Sequence, residues 1–494
     1  MWLTQLLERN RQCRPGRTAL VDEERSVTWA EFHDRTLELA RGLAELGIER
    51  GDRVAVLSKD RIEVLESYFA LARLGALFVP LNHSLAEPEV AGIIERVGAV
   101  AVIGESELLD RHPELPASVR IRLALDKPAF EALGTLAAER DLPEVADTDP
   151  IAVLHTSATT GQAKGVTVDS GSFRAIALGW LVMARPTDDI VMVNCCPLYH
   201  GSMVVSLTYL AAGATVVLMP GFTPQRALTA VERHRATHMW LVPQMLRFML
   251  QAKASHRTDL SCLREILYGA APMPLDVYAD AVERLGCGFR QVYGMTEVGG
   301  PFVTLGPDEH PAPGDVTARI PCGRVVPGMS ARAVDGGGRE LPPGEIGEIV
   351  VRGPGVMRGY WNDPQATREI TLDGWIRTGD LGFMDDEGRI SLVDRTKDVI
   401  IRAGQNVYPS EIERALLTHP AVRDAAVVGM PDEDYGEVPL AYVVPEPGAA
   451  PGAAALLGHV KGLLAPYKWP RRVEFIEQVP RNPAGKIVKK LLRA

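Results

Sequence analysis

Between residues 150 and 295, apolar runs bounded by turns alternate with helix-period segments, and this restricts the fold more than any other feature of the chain. The runs IAVLHT, DIVMVNC, ATVVLMP, WLVPQM, EILYG and FRQVYG read as buried strands. Buried strands separated by helices predict a largely parallel, layered α/β architecture. Helices are expected near 172 to 184, after Gly201, and from 224 to 236, the last with Thr223 as N-cap and Pro224 at its first position. Residues 20 to 105 repeat the theme, with VTWAEFHDRTLELARGLAELG as an amphipathic helix and RVAVLS and VAVIGE as strands.

From 311 to 360 the texture changes to short strands punctuated by Gly and Pro, such as GEIGEIVVRGP, which predicts a small antiparallel barrel. After DRTKD a separate α+β unit is expected, with SEIE (Ser410 to Glu413) as a capping box opening a helix through Thr418. The RRVEF string and the alanine-rich 449 to 455 segment read as surface turns or linker. At 494 residues the chain exceeds one hydrophobic core, so at least two domains are expected.

A net charge of −10 leaves no basic footprint, which argues against nucleic acid as a partner and requires any anionic ligand to be held by local positive charge. Six cysteines form no CxxC pair, and Cys195 and Cys196 are adjacent, which suits neither a disulfide framework nor a zinc site. A cytoplasmic location is expected, because no apolar signal segment and no membrane-spanning run stands in the sequence.

The chemistry is concentrated in HTSATTGQAKGV, residues 155 to 166. A triphosphate needs many short donors and a backbone free to approach closely; Thr156, Ser157, Thr159, Thr160, Gly161, Lys164 and Gly165 supply both. It is not a Walker loop, since Gly165 stands where Ser or Thr would follow the lysine. Alone, the cluster also fits a polar turn between strands. Four further segments follow in order: VYGMTE at 292 to 297, RTGD at 377 to 380, DRTKDVI at 394 to 400 and PRNPAGKI at 480 to 487. With these the chain resembles, along essentially its whole length, the acyl-adenylate-forming superfamily of acyl-CoA synthetases, peptide-synthetase adenylation domains and luciferases.

The resemblance implies a large adenylation domain over 1–395 and a small mobile domain over 396–494. It places the β and γ phosphates of ATP on the 155 to 166 loop. Gly269, Ala270 and Ala271 of GAAPMP would lie flat against adenine, with Tyr293 on its face. Thr296 would touch the α-phosphate and Glu297 would hold Mg²⁺, a hard cation that prefers oxygen ligands. Asp380 and Arg395 are the expected ribose partners. Lys486 is the expected catalytic lysine, bridging carboxylate and α-phosphate; Lys397 is the expected hinge, and Gly404 would leave room for a thiol. Taken singly, Glu297 also fits a solvated strand end, and Lys397 and Lys486 fit plain surface lysines.

The acyl pocket is expected at His200, Trp240, Gly269, Ala270, Gly299 and Gly300, one large ring among small residues. A packed core histidine would equally explain His200. No lysine or arginine falls on these positions, which argues against a dicarboxylate; the lack of an aspartate between Ala236 and Pro243 argues against an amino acid. Ala158 and Ala163 depart from the family's usual glycine and proline; alanine at a positive φ costs about 1–2 kcal/mol. The expected activity is an ATP- and Mg²⁺-dependent acid:CoA ligase acting on an apolar monocarboxylic acid. The alternatives are a stand-alone adenylation enzyme serving a carrier protein or partner ligase, a luciferase-like oxygenase, and a non-catalytic nucleotide-binding scaffold. The oligomeric state is left open.

Overall fold

The strands expected from the apolar runs assemble in register. The computed structural model describes residues 1–134, 141–156, 163–199, 201–315, 319–481 and 487–493. The chain divides into two compact units, Met1–Ser330 with Arg352–Ile376, and Ala331–Val351 with Arg377–Ala494. In the first unit a nine-stranded sheet runs, in spatial order, Arg324–Val325, Gly300–Leu305, Gly288–Met295, Glu265–Gly269, His238–Leu241, Val191–Asn194, Thr215–Leu218, Thr18–Val21 and Ser26–Thr28. Its members from Gly288–Met295 to Thr18–Val21 are parallel, and antiparallel strands close both edges.

A second, seven-stranded sheet orders Gly359–Tyr360, Gly165–Asp169, Pro150–His155, Leu77–Leu81, Arg53–Leu57, Ala101–Gly104 and Ile121–Ala124. It is parallel from Pro150–His155 onward; Gly165–Asp169 and Gly359–Tyr360 are antiparallel. One face of the nine-stranded sheet buries Val193, Met239, Leu241, Ile266 and Phe289 against Leu228, Val231, Leu246 and Val277 of three helices. Full burial of each such side chain is worth about 1.5–3 kcal/mol, so this layer is a main source of the unit's stability.

Local signals set the helix starts. Thr28 and Glu31 form a capping box at the head of Trp29–Glu45. Thr223 accepts from Arg226 N at 3.2 Å, with Pro224 at the first position of Pro224–His234. The helix expected near 172 is Ser170–Ala184, begun by Asp169, whose carboxylate accepts from Ser172 N at 2.7 Å. Its Trp180 indole donates to Pro301 O at 2.9 Å, fixing the helix to the sheet edge.

The second unit holds most of a five-stranded sheet that includes Ser330–Val334, Gly347–Arg352, Trp375–Met384 and Ile390–Arg395. It continues with an α+β layer in which Val422–Asp432 and Gly436–Pro445 form the long central hairpin. Three readings are corrected here. The helix Pro409–Leu417 has Tyr408 at its N-cap and no side-chain cap, because Ser410 and Glu413 have tertiary partners instead. Ser410 Oγ donates to Val393 O, and Glu413 takes Lys489 at 2.9 Å and Val427 N at 2.8 Å. The RRVEF string contains a strand, Arg472–Phe475, parallel to Gly436–Pro445. The alanine-rich segment contains the start of a helix, Ala453–Leu463, whose Leu456 and Val460 enter the core.

His238 lies buried in the nine-stranded sheet, its ring 5.7 Å from that of Tyr209. Burial, aided by the charges of Arg264 and Arg290, pushes it from the ordinary 6.5 down to about 4. The unfolded chain therefore takes up a proton below pH 6.5 that the native state refuses until about pH 4, so stability falls across that window as pH drops. We expect His238→Gln to remove on the order of 2 kcal/mol of the wild-type loss between pH 7 and pH 5. Urea unfolding midpoints at the two pH values check this, and equal losses in both proteins would refute it.

Candidate active site

The strand Pro150–His155 turns back through the hydroxyl-rich loop into Gly165–Asp169, so the loop is the connection of an antiparallel hairpin. Thr156 N donates to Lys164 O at 3.1 Å and closes its base. Ser157, Ala158, Thr159, Thr160 and Gly161 lie outside the described residues, as do His200 and Lys486. His155, the last strand residue, is pushed by burial, with a smaller effect of Arg96, down to about 4. Its imidazole is neutral near pH 7, and among the described residues of the loop the cation is Lys164.

Glu297 stands on a single 3₁₀ turn, Thr296–Val298, between the end of the parallel strand Gly288–Met295 and the antiparallel strand Gly300–Leu305. The reversal needs two glycines: Gly299 and Gly300 have φ of 66° and 134°, values a side chain resists. The turn leaves Glu297 only 9% exposed. Its Oε1 accepts from the Tyr360 hydroxyl at 2.8 Å, the one hydrogen bond recorded for this carboxylate among the described residues. Burial first, and the Glu297 charge second, push the Tyr360 phenol far above its ordinary value, so it remains a donor at any working pH.

The other face of the arrangement is Lys164, whose Nζ lies 4.9 Å from the centroid of the Tyr360 ring. Residues 164, 297 and 360, remote in sequence, thus meet at one phenol. Tyr360 was not singled out from the sequence; its GYWN context carries no polar cluster of the kind used to find the loop. Its place is set by strand pairing: Gly359, at φ 141°, pairs with Thr167 while Tyr360 pairs with Val166.

Tyr293 is half-buried on the same strand, its ring 5.2 Å from Phe302. Gly269 ends the adjacent strand, where an added Cβ would stand 2.4 Å from Val292 O and 3.2 Å from the Trp240 ring. Ala270 follows at φ 65°, a strained conformation for alanine. Trp240 is buried beside Gly269, with an indole N–H that finds no partner among the described residues. Gly300 abuts Val204 of the helix Ser202–Ala212, and Gly299 approaches Ile176 and Gly355 O. The structure therefore sets Trp240 beside Gly269 and packs Gly299 and Gly300 against helices Ser170–Ala184 and Ser202–Ala212.

Within the second unit, Asp380 and Arg395 are direct cross-strand partners, with Nε 3.5 Å from Oδ1. Lys397 follows on the 3₁₀ turn Thr396–Asp398; its ammonium is held below the ordinary value by desolvation first and by Arg395 second. Gly404 and Ala403 form the tip of the hairpin Ile400–Arg402 and Gln405–Val407, with φ of 81° and 48°. A Cβ at Gly404 would meet nothing within 4 Å, so within its unit glycine answers backbone conformation rather than crowding.

No group of three metal-ligating side chains is found among the described residues. One carboxylate suffices for Mg²⁺ when phosphates and water supply the remaining oxygens, and Glu297, whose second oxygen has no hydrogen-bond partner among the described residues, fits that use. No helix among the described residues is long and apolar enough to cross a membrane.

A lysine at the base of a hydroxyl-rich loop, a buried carboxylate and a flat strand end are the parts an adenylate-forming ligase needs. The chain belongs to the AMP-binding enzyme family: residues 7–361 match that family and residues 411–486 match its C-terminal domain. It is 36% identical over 501 residues to a fatty acid–[acyl-carrier-protein] ligase, ScoC, of Streptomyces coeruleorubidus, covering 99% of this chain and 96% of the relative. It is 37% identical over 483 residues to a feruloyl-CoA synthase of an Amycolatopsis species, covering 97% and 96%. The fold matches ATP-bound MatB from Rhodopseudomonas palustris with a TM-score of 0.91 at 31% identity, over 99% and 98% of the two chains. The protein is an enzyme of the acyl-CoA synthetase class, with ATP and CoA as co-substrates.

Gly269→Ala tests the flat strand end. The added methyl collides with backbone rather than a movable side chain, and overpacking of this kind costs about 1–3 kcal/mol. ATP affinity measured by equilibrium dialysis is expected to fall roughly tenfold or more. Unchanged affinity would remove this residue from the nucleotide site.

Proposed function

We propose that the enzyme activates an apolar monocarboxylic acid as its acyl-AMP and passes the acyl group to the thiol of CoA. The observation that supports this is the meeting of Lys164 and Glu297 at Tyr360, a cation for phosphate over the ring and a carboxylate for its metal at the hydroxyl. In the first step a carboxylate oxygen attacks the α-phosphorus and the bond to pyrophosphate breaks. In the second the CoA sulfur attacks the acyl carbon, and AMP leaves with the electron pair of the acyl–oxygen bond. Bound Mg²⁺ would neutralise charge on the departing pyrophosphate.

In this reading Thr156, Ser157, Thr159, Thr160, Gly161 and Lys164 hold the β and γ phosphates. Ala270 and Ala271 face adenine, Thr296 orients the α-phosphate, and Asp380 and Arg395 take the ribose. The pairing of Asp380 with Arg395 supports the last assignment, because a carboxylate accepting from both ribose hydroxyls needs its charge balanced. Residues 396–494 move about Lys397 between the half-reactions, exchanging Lys486 for the Gly404 hairpin. His200, Trp240, Gly269, Gly299 and Gly300 line the acyl site; the small residues beside Trp240 suit a medium-sized to bulky acid. The enzyme works in the cytoplasm.

Pyrophosphate release across a panel of aliphatic, aromatic and polycyclic acids, with CoA or an acyl carrier protein as acceptor, tests the reading. The carrier arm is warranted because the relative from S. coeruleorubidus is named as a carrier-protein ligase. Release with no acid in the panel would refute acid activation, and transfer to carrier alone would replace CoA as the acceptor.

Lys486→Ala separates the half-reactions. Loss of a preorganised cation at the developing charge costs about 10²- to 10³-fold, so acyl-AMP formation is expected to fall by that order. Thioester formation from chemically made acyl-AMP and CoA should be nearly unchanged. Equal loss in both would sink the proposed alternation of residues 396–494.

A further inference from the structure

Tyr360 is the residue through which the phosphate loop and the metal carboxylate touch, and neither its ring nor its hydroxyl is needed for its backbone pairing. Gly359–Tyr360 is zipped to Val166–Thr167 by main-chain bonds, with Arg358 N on Thr167 O at 2.9 Å and Trp361 N on Gly165 O at 2.7 Å. Any residue able to form a strand would make those bonds. The hydroxyl makes a different contact, to Glu297 Oε1 at 2.8 Å, and the ring face a third, to Lys164 Nζ at 4.9 Å.

We propose that Tyr360 is a positioning residue for the adenylation step: its hydroxyl aims the Glu297 carboxylate at Mg²⁺ and its ring sets the resting place of Lys164. This rests on the adenylation reading above. A carboxylate on a short turn has free rotation about its last two bonds; one fixed donor on Oε1 removes that freedom and presents Oε2. Met357 N also donates to Glu297 O at 2.9 Å, so the segment carrying Tyr360 holds the main chain and the side chain of Glu297 together. Outer partners of metal ligands commonly matter by about 10- to 100-fold in metal affinity. Among the described residues, the hydrogen-bond partner of this glutamate, only 9% exposed, is a neutral donor, which orients the charge without cancelling it.

The test is Tyr360→Phe, which keeps ring, strand and packing and deletes one oxygen. Mn²⁺ is titrated into protein with ATP and followed by electron paramagnetic resonance, so the readout does not depend on turnover. Wild type, Tyr360→Phe, Glu297→Gln and the double variant are compared. Apparent Mn²⁺ affinity is expected to fall about 10- to 100-fold in each single variant, and the double variant should lose little more than Glu297→Gln alone. Binding of metal-free ATP and thioester formation from ready-made acyl-AMP should be unchanged in Tyr360→Phe. Wild-type Mn²⁺ affinity in Tyr360→Phe with a loss in Glu297→Gln overturns the positioning role and spares the site. No loss in Glu297→Gln overturns the metal assignment itself. Additive losses in the double variant would show that Tyr360 acts elsewhere, and also overturn the proposal.

Discussion

On the proposed assignment, the two-residue pairing of Gly359–Tyr360 with Gly165–Asp169 is the contact on which the nucleotide half of the site depends. It takes a segment nearly two hundred residues downstream of the phosphate loop and fixes it against that loop's returning strand. The same segment then reaches the turn of Glu297 through Met357 N and the Tyr360 hydroxyl. One end of the seven-stranded sheet is thereby tied to one end of the nine-stranded sheet within the first unit. Backbone hydrogen bonds each add only about 0.5–1.5 kcal/mol net, but they are directional, and the geometry of the site needs direction more than energy.

The remaining pieces follow from a general property of open α/β sheets, in which ligands sit outside the carboxyl ends of the strands. Gly269 ends one parallel strand, Met295 another in the same sheet, and His155 ends a parallel strand of the second sheet. At such ends the backbone must turn sharply, and the chain accepts strain there. Gly299 and Gly300 absorb it without a side chain, whereas Ala270 holds φ at 65° at a cost of about 1–2 kcal/mol. That cost is tolerable because the neighbouring strands are bound on both sides and leave the residue no alternative course.

The sequence made the layered α/β fold legible because buried parallel strands are continuous apolar runs, and it made five motifs legible because phosphate and metal chemistry restricts residue types. Glu297 and Lys164 could be found that way; Tyr360 could not, since an isolated tyrosine in a Gly-Tyr-Trp string has no local chemistry to mark it. The SEIE segment failed for a related reason: Ser410 and Glu413 have the residue types of a cap, but Val393, Val427 and Lys489 outcompete the local backbone for them. Gly404, expected to leave room for a thiol, also has φ of 81° at an exposed hairpin tip, a backbone reason for glycine that the sequence did not display. In each case the deciding partner was remote in sequence or was the backbone itself.

Charge bookkeeping ties these features to selectivity. The chain carries a net charge of −10, its substrates are anions, and His155 beside the loop is neutral near pH 7. Beyond a Debye length of about 8 Å at physiological ionic strength, the overall charge is screened and neither attracts nor repels strongly. Recognition is therefore decided at contact distance. A buried carboxylate and a phosphate oxygen about 4 Å apart repel by about 4 kcal/mol at an effective dielectric constant near 20. Among the described residues the hydrogen-bond partner of Glu297 is the Tyr360 hydroxyl, a neutral donor that brings no counter-charge. Without a divalent cation between them, such a carboxylate opposes nucleotide; with one, the repulsion becomes two attractions to the same ion. On the proposed assignment, Glu297 is then more than a ligand: it makes the site discriminate metal-bound nucleotide from free nucleotide, and the neutrality of its tyrosine partner is what preserves that discrimination.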